Sequence, residues 1–133
     1  MASIDKLAWI LLKDRTVLFV RPSGKEIFLN AGGKREGDET DEEALIREIK
    51  EELAVDLVPS SITYLETFSA QAAGHPEGTM VVITCFTADY ANGPLTPSSE
   101  IEELAWFTSK DAERTSITGR LILDYLKDKG LID

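Results

Sequence analysis

Glu48, Glu51 and Glu52 are the side chains in this sequence whose types and spacing most plainly suggest chemistry. They fall within Arg47-Glu48-Ile49-Lys50-Glu51-Glu52, at relative positions i, i+3 and i+4. On a helix, residues three and four apart are surface neighbours, so the three carboxylates are expected on one face. Like charges at that spacing destabilise a helix unless a cation sits among them. A hard divalent ion such as Mg²⁺ binds through a few carboxylates, keeps several waters and often takes substrate phosphates as well. The cluster therefore points to a metal-dependent phosphate site, against the plain reading of an acidic run as a solvated face.

The surrounding residues predict the helix that would hold them. Thr40 and Glu43 have capping-box spacing, and Asp38, Glu39, Asp41 and Glu42 place negative charge where a helix N-terminus favours it. Leu45, Ile49 and Leu53 recur every four residues with Ile46 beside them, an apolar stripe at helical period. The three glutamates occupy the adjacent arc. One side can pack on a core while its edge lines a cleft.

Gly33 to Val55, reading GKREGDETDEEALIREIKEELAV, resembles the Nudix hydrolase signature G-x5-E-x7-R-E-U-x-E-E-x-G-U, with U a bulky aliphatic. Gly33 opens it, Glu39 and Arg47-Glu48 follow at the signature spacing, Ile49 is the first aliphatic, Glu51-Glu52 the acidic pair and Val55 the last aliphatic. Ala54 departs, standing where the family has Gly. That Gly ends the helix, and Ala tolerates a left-handed cap poorly. Ala31-Gly32-Gly33 stands where many members read P-G-G.

The resemblance implies an α/β fold, an α/β/α sandwich around a mixed β-sheet, with residues 1–133 forming one Nudix domain. It places metal binding on Glu48, Glu51 and Glu52 and adds the backbone carbonyl of Gly33. It leaves open which carboxylate is the general base. Many members carry E-x-x-E-x-x-W further on, matched by Glu100, Glu103 and Trp106, and Glu100 is the candidate for an additional catalytic carboxylate. Arg47 is expected to pair with Glu39 and brace the loop against the helix. Gly32 permits close backbone approach to phosphate, and Lys34 and Arg35 are phosphate-contact candidates with a surface role as the alternative. Glu102 is expected to be solvated, Trp106 and Trp9 to be core residues, and His75 to be an exposed loop residue.

The implied activity is Mg²⁺-dependent (Mn²⁺ as substitute) hydrolysis of the pyrophosphate linkage in a nucleoside diphosphate joined to another moiety. Nucleoside triphosphates and nucleotide sugars are the candidate classes. Two other readings share the fold. Isopentenyl-diphosphate isomerase shares the fold but needs a cysteine near the start of the box, and none is there. A non-catalytic Nudix sensor is the alternative, but such domains usually lose box carboxylates, and all are present here.

Composition bounds the rest. The chain has 133 residues, 43% hydrophobic and 29% charged, which reads as soluble and globular. No apolar run approaches the length of a membrane span, and the N-terminus lacks a basic region followed by a long apolar stretch, so a cytoplasmic location is expected. A formal charge of −10 argues against polymeric nucleic acid as a partner. A small nucleotide stays compatible, because a bound cation reverses the local field. The single Cys85 lies in an apolar run and reads as a buried thiol. Dimers are common in the family, and the sequence is compatible with a homodimer without demanding one.

Along the chain, Lys6 to Lys13 predicts a buried strand, turning at Asp14-Arg15 into a second hairpin arm, Thr16 to Val20. Glu26 to Asn30 predicts a short strand feeding a Gly32-Gly33 loop. Ile62 to Ala70, Thr79 to Tyr90 and Glu103 to Phe107 predict further strands. Thr115 to Lys129 predicts a C-terminal helix, weakened at its first turn by Gly119.

Overall fold

Side chains alternate between two burial layers along the central strands, and this alternation organises the molecule. The computed structural model describes residues 3–72 and 74–133. In chain order the strands and helices are β1 (Ser3–Trp9), β2 (Leu12–Lys13), β3 (Thr16–Pro22), β4 (Ala31–Gly33), α1 (Asp41–Leu53), β5 (Asp56–Leu57), β6 (Thr63–Gln71), β7 (Met80–Thr87), β8 (Tyr90–Ala91), β9 (Ile101–Phe107) and α2 (Ile117–Asp128). Leu7, Trp9, Leu18 and Val20 join one core with Leu45, Ile49 and Leu53 of α1. Their neighbours Ala8, Ile10, Val17 and Phe19 join a second core with Ile122, Leu123 and Leu126 of α2. Period-two strands thus feed a helix on each face, which makes an α/β/α sandwich.

The larger sheet has the order β4-β1-β7-β6. β1 runs parallel to β7, while β4 and β6 pair antiparallel, so the sheet is mixed. A second, antiparallel sheet has the order β2-β3-β9, and β5 pairs with β8. The strand expected over Lys6 to Lys13 is divided. Trp9 is the last residue paired in the larger sheet, and Leu12–Lys13 pair with Val17 and Thr16 in the second. The chain changes sheets at Ile10-Leu11, so only the short β2 forms the expected hairpin.

The Gly32-Gly33 pair is also strand rather than loop. Gly33 pairs with Leu7 and Gly32 with Ala8. The expected strand over Glu26 to Asn30 reduces to two isolated bridges, Leu29 with Val20 and Phe28 with Thr115. β4 approaches β1 so closely that a Cβ on Gly32 would collide with the Leu7 carbonyl oxygen.

Local chemistry sets both helix ends. The Thr40 hydroxyl accepts from the Glu43 amide at 3.1 Å, and the Glu43 carboxylate accepts from the Thr40 amide at 2.9 Å, a complete capping box. Ala54 ends α1 in the left-handed region at φ 59°, the conformation the family gives to glycine. Ser116 caps α2 through the Gly119 amide at 3.2 Å. Gly119 is not a weakness of that first turn. A side chain there would overlap Thr115, whose hydroxyl holds the Phe28 carbonyl at 2.7 Å.

Candidate active site

The acidic edge of α1 faces β4, and each box carboxylate has a different set of partners. The Glu52 carboxylate accepts the Gly32 amide at 3.0 Å. The Glu48 carboxyl group lies over Gly33, where a Cβ would stand 2.5 Å from it. Gly33 therefore has no room for a side chain while Glu48 keeps this position. Glu51 is 53% exposed and faces outward, with one oxygen 3.5 Å from Arg47.

Arg47 ties the segment together. Its guanidinium donates to both Glu39 oxygens, at 2.7 and 2.9 Å, to Glu48 at 2.9 Å and to the Lys34 carbonyl at 3.0 Å. Such two-pronged pairing fixes direction as well as distance. It fastens the segment before α1 to the middle of the helix. The same contacts hold the Glu39 carboxyl below the ordinary carboxylate range.

Burial governs the other two acids. It pushes Glu52 up to about 8, with Glu48, Glu51 and Glu100 adding repulsion and the Gly32 amide opposing. Glu48 is also raised by burial, against the pull of Arg47. Two glutamates that resist ionisation, with further carboxylates close enough to repel, form a field that a cation would relieve. Among the described residues, no group of three or more His, Cys, Asp or Glu stands in metal-holding geometry. The donor set is nonetheless all oxygen and suits a hard divalent ion. Glu48, Glu52 and the Gly33 backbone are the groups placed together.

The remaining sequence candidates are spread more widely. Glu100 is exposed at the start of the segment entering β9, and its backbone carbonyl accepts the Ser23 amide at 2.7 Å. Arg35 is engaged by Asp41 at 2.5 Å and lies 3.7 Å from Asp5, so carboxylates already surround it. The Lys34 side chain is exposed. Glu102 and Glu103 hold Arg21 at 2.8 and 2.9 Å, so Glu102 is an ion-pair partner rather than a merely solvated charge. Trp9 is fully buried, its indole donating to the Ala88 carbonyl at 3.0 Å. Trp106 is 36% exposed with the Lys13 ammonium 5.7 Å from its ring, not the core residue expected. Its neighbour Phe107, on the opposite face of β9, is fully buried in the core with α2. Cys85 is buried, and desolvation pushes its thiol up to about 12, as suits a packing residue.

A cavity of about 280 Å³ opens beside Gly32, Gly33 and Glu52. Ile4, Val20, Val81, Ile83 and Ile101 give it apolar walls, and Asn30, Lys6, His75, Ser116 and Thr118 supply polar groups. The sequence reading missed Asn30, Lys6, Ser116 and Thr118. The one available signal was Asn30 itself, a polar residue between Leu29 and Ala31 just ahead of the glycines.

A family model, the NUDIX domain, matches residues 6–125. The chain belongs to the Nudix family. This membership makes it a pyrophosphohydrolase-type enzyme acting on nucleoside diphosphate derivatives, in a family that generally uses divalent metal cations. Solved structures share the fold. The Escherichia coli ORF135 protein is 23% identical, covers 96% of this chain and 92% of its own, and superposes with a TM-score of 0.73. The MutT NUDIX hydrolase from Burkholderia pseudomallei is 21% identical, covers 93% and 98%, and has a TM-score of 0.73. A UDP-X diphosphatase is 16% identical, covers 98% of this chain and 64% of its own, and has a TM-score of 0.71. No curated protein sequence matches the chain significantly. Among the described residues, no helix of this Nudix protein is long and apolar enough to cross a membrane.

Proposed function

We infer that this Nudix domain is an Mg²⁺-dependent hydrolase, with Mn²⁺ able to substitute. It cleaves the pyrophosphate linkage of a nucleoside diphosphate joined to another moiety, of the nucleoside triphosphate or nucleotide sugar class. One observation carries the reading. Glu52, resistant to ionisation, is held on the Gly32 amide at the edge of a cavity, with Glu48 over the neighbouring glycine.

Glu48, Glu51, Glu52 and the Gly33 carbonyl would hold the ion. When bound, it neutralises phosphate charge and lowers the pKa of a coordinated water. The chain's own residues position the rest. The Gly32-Gly33 backbone lines the cavity where the diphosphate would lie, its missing side chains making room for the Leu7 carbonyl and for the Glu48 carboxyl beside it. Arg47 keeps Glu48 turned towards β4 and anchors Glu39. Glu100, whose charge is felt at Glu52, is the carboxylate assigned to proton transfer alongside the box acids. Lys34, exposed beside the glycines, is free to meet a phosphate oxygen.

The test is product mass after incubation with a nucleotide panel. Mg²⁺-dependent release of a nucleoside monophosphate, abolished by a chelator and by Glu52→Gln, is the expected result. Equal turnover by parent and Glu52→Gln removes the assigned site.

A further inference from the structure

Arg21 stands beside a β-bulge, and its guanidinium binds both acids on the bulged strand. Arg21 pairs with Glu103 and Pro22 with Ile101, so Glu102 is the extra residue on β9. In a regular strand neighbouring side chains point to opposite faces. The bulge brings Glu102 and Glu103 within reach of one side chain. Arg21 Nε donates to Glu103 at 2.9 Å, and one terminal nitrogen donates to Glu102 at 2.8 Å. The other terminal nitrogen donates to the Lys25 carbonyl at 3.0 Å.

This clamp adjoins Glu100. Pro22 has no amide to donate, and beyond the bulge the Ser23 amide donates to the Glu100 carbonyl at 2.7 Å. The Lys25 amide returns to the Pro22 carbonyl at 3.1 Å and closes the turn that carries Ser23. A second anchor precedes Glu100. The Ser98 amide donates to the Glu52 carbonyl at 2.9 Å, and the Ile101 amide to the Ser98 carbonyl at 3.1 Å. Between them Ser99 holds a left-handed φ of 57°, a conformation that persists only with such flanking support. The segment bearing Glu100 is therefore slung between the Glu52 end of α1 and the turn that Arg21 fastens.

Stability does not account for the clamp. Glu102 and Glu103 are half exposed, and ion pairs of that exposure contribute little. What a forked guanidinium supplies is direction, and bulges beside active sites re-aim side chains.

We propose that Arg21 is a positioning residue for the hydrolysis, clamping Glu102 and Glu103 across the bulge so that Glu100 is presented to the Glu52 end of α1. The proposal rests on the hydrolase reading and on proton transfer by Glu100, and adds the residue that sets where Glu100 stands.

The experiment compares the parent with Arg21→Gln, Arg21→Lys, Glu100→Gln and the double variant Arg21→Gln/Glu100→Gln on ATP, GTP, CTP, UTP and ADP-ribose with Mg²⁺. On the probe that the parent cleaves fastest, Glu100→Gln lowers kcat about a hundredfold. Arg21→Gln lowers kcat about tenfold with KM within about twofold, and Arg21→Lys recovers only part of the loss. In the Glu100→Gln background, Arg21→Gln costs less than about twofold, because the group it positions is already gone. The melting temperatures of Arg21→Gln and the parent agree within about 2 °C. Amide hydrogen exchange, read without substrate or metal, rises about tenfold or more at Ser23 and Ile101 in Arg21→Gln and is unchanged across α1. A parent that cleaves no probe while this exchange increase appears refutes the hydrolase reading and upholds the clamp on the Glu100 segment. Unchanged exchange, a loss that repeats in full in the Glu100→Gln background, a raised KM in place of a lowered kcat, or full activity of Glu100→Gln overturns the positioning role.

Discussion

Glu48 and Gly33 occupy one space between them: the carboxyl group of the first fills the volume a side chain of the second would need. Gly32 differs from its neighbour, because its obstacle is the Leu7 backbone carbonyl. The two glycines therefore predict opposite phenotypes. Gly33→Ala displaces a flexible side chain, so the fold survives while turnover falls on the order of a hundredfold, as for loss of a positioned catalytic group. Gly32→Ala meets fixed backbone at a φ of 141°, a region nearly closed to other residues, and is expected to destabilise by several kcal/mol. Urea melts beside steady-state kinetics distinguish them.

Glu52 sets a pH dependence. Its folded-state pKa, about 8, lies above the ordinary 4.5. Between those values the unfolded chain releases a proton that the folded one keeps, so this group's contribution is full below about 4.5 and is lost as pH rises through about 8. Without metal, the protein melts at a lower temperature at pH 8 than at pH 5.5 on this account, and Glu52→Gln flattens the difference. Binding Mg²⁺ requires the carboxylate, so proton release accompanies it near neutral pH and is measurable by calorimetry in two buffers. No proton release, or a Glu52→Gln profile identical to the parent's, contradicts the assignment.

Ala54 holds a left-handed conformation at a cost of about 1 kcal/mol. Ala54→Gly removes the Cβ that causes it and raises stability by about that amount, with kinetic constants within twofold. A destabilised Ala54→Gly protein would show that the helix end is held by something other than backbone geometry.

Arg47→Lys keeps the charge and loses the fork. A single ammonium cannot serve both Glu39 oxygens, Glu48 and the Lys34 carbonyl together. The expected outcome is a fall in kcat of about tenfold or more with KM little changed, since positioning of Glu48 suffers before substrate contacts do. An unchanged kcat would assign Arg47 to stability alone.

The legible features were those set by short-range spacing. Thr40 with Glu43, the stripe Leu45-Ile49-Leu53 and the acidic arc all lie within one helix, where period alone fixes neighbours. The two-layer division was legible for the same reason. Pairing across the sheets was not. Nothing local says that β1 stops at Trp9 and that Leu12 belongs to another sheet, because Ile10 and Leu11 are apolar in either case. The glycine pair reads as loop by composition, yet close approach of β1 requires it inside a strand. Trp106 was misjudged because bulk suggests burial, while it is Phe107, on the opposite face of β9, that enters the core. Asn30 escaped because a place in a cavity wall is defined by what surrounds it in three dimensions.

The interleaving of Leu7 and Trp9 with Ala8 and Ile10 has a consequence for how this chain can vary. β1 works like a zip whose alternate teeth serve two different garments. Adding or deleting one residue there would hand each tooth to the wrong side and unseat α1 and α2 together. Length changes are tolerable in the connecting loops, and the central strands must keep their count.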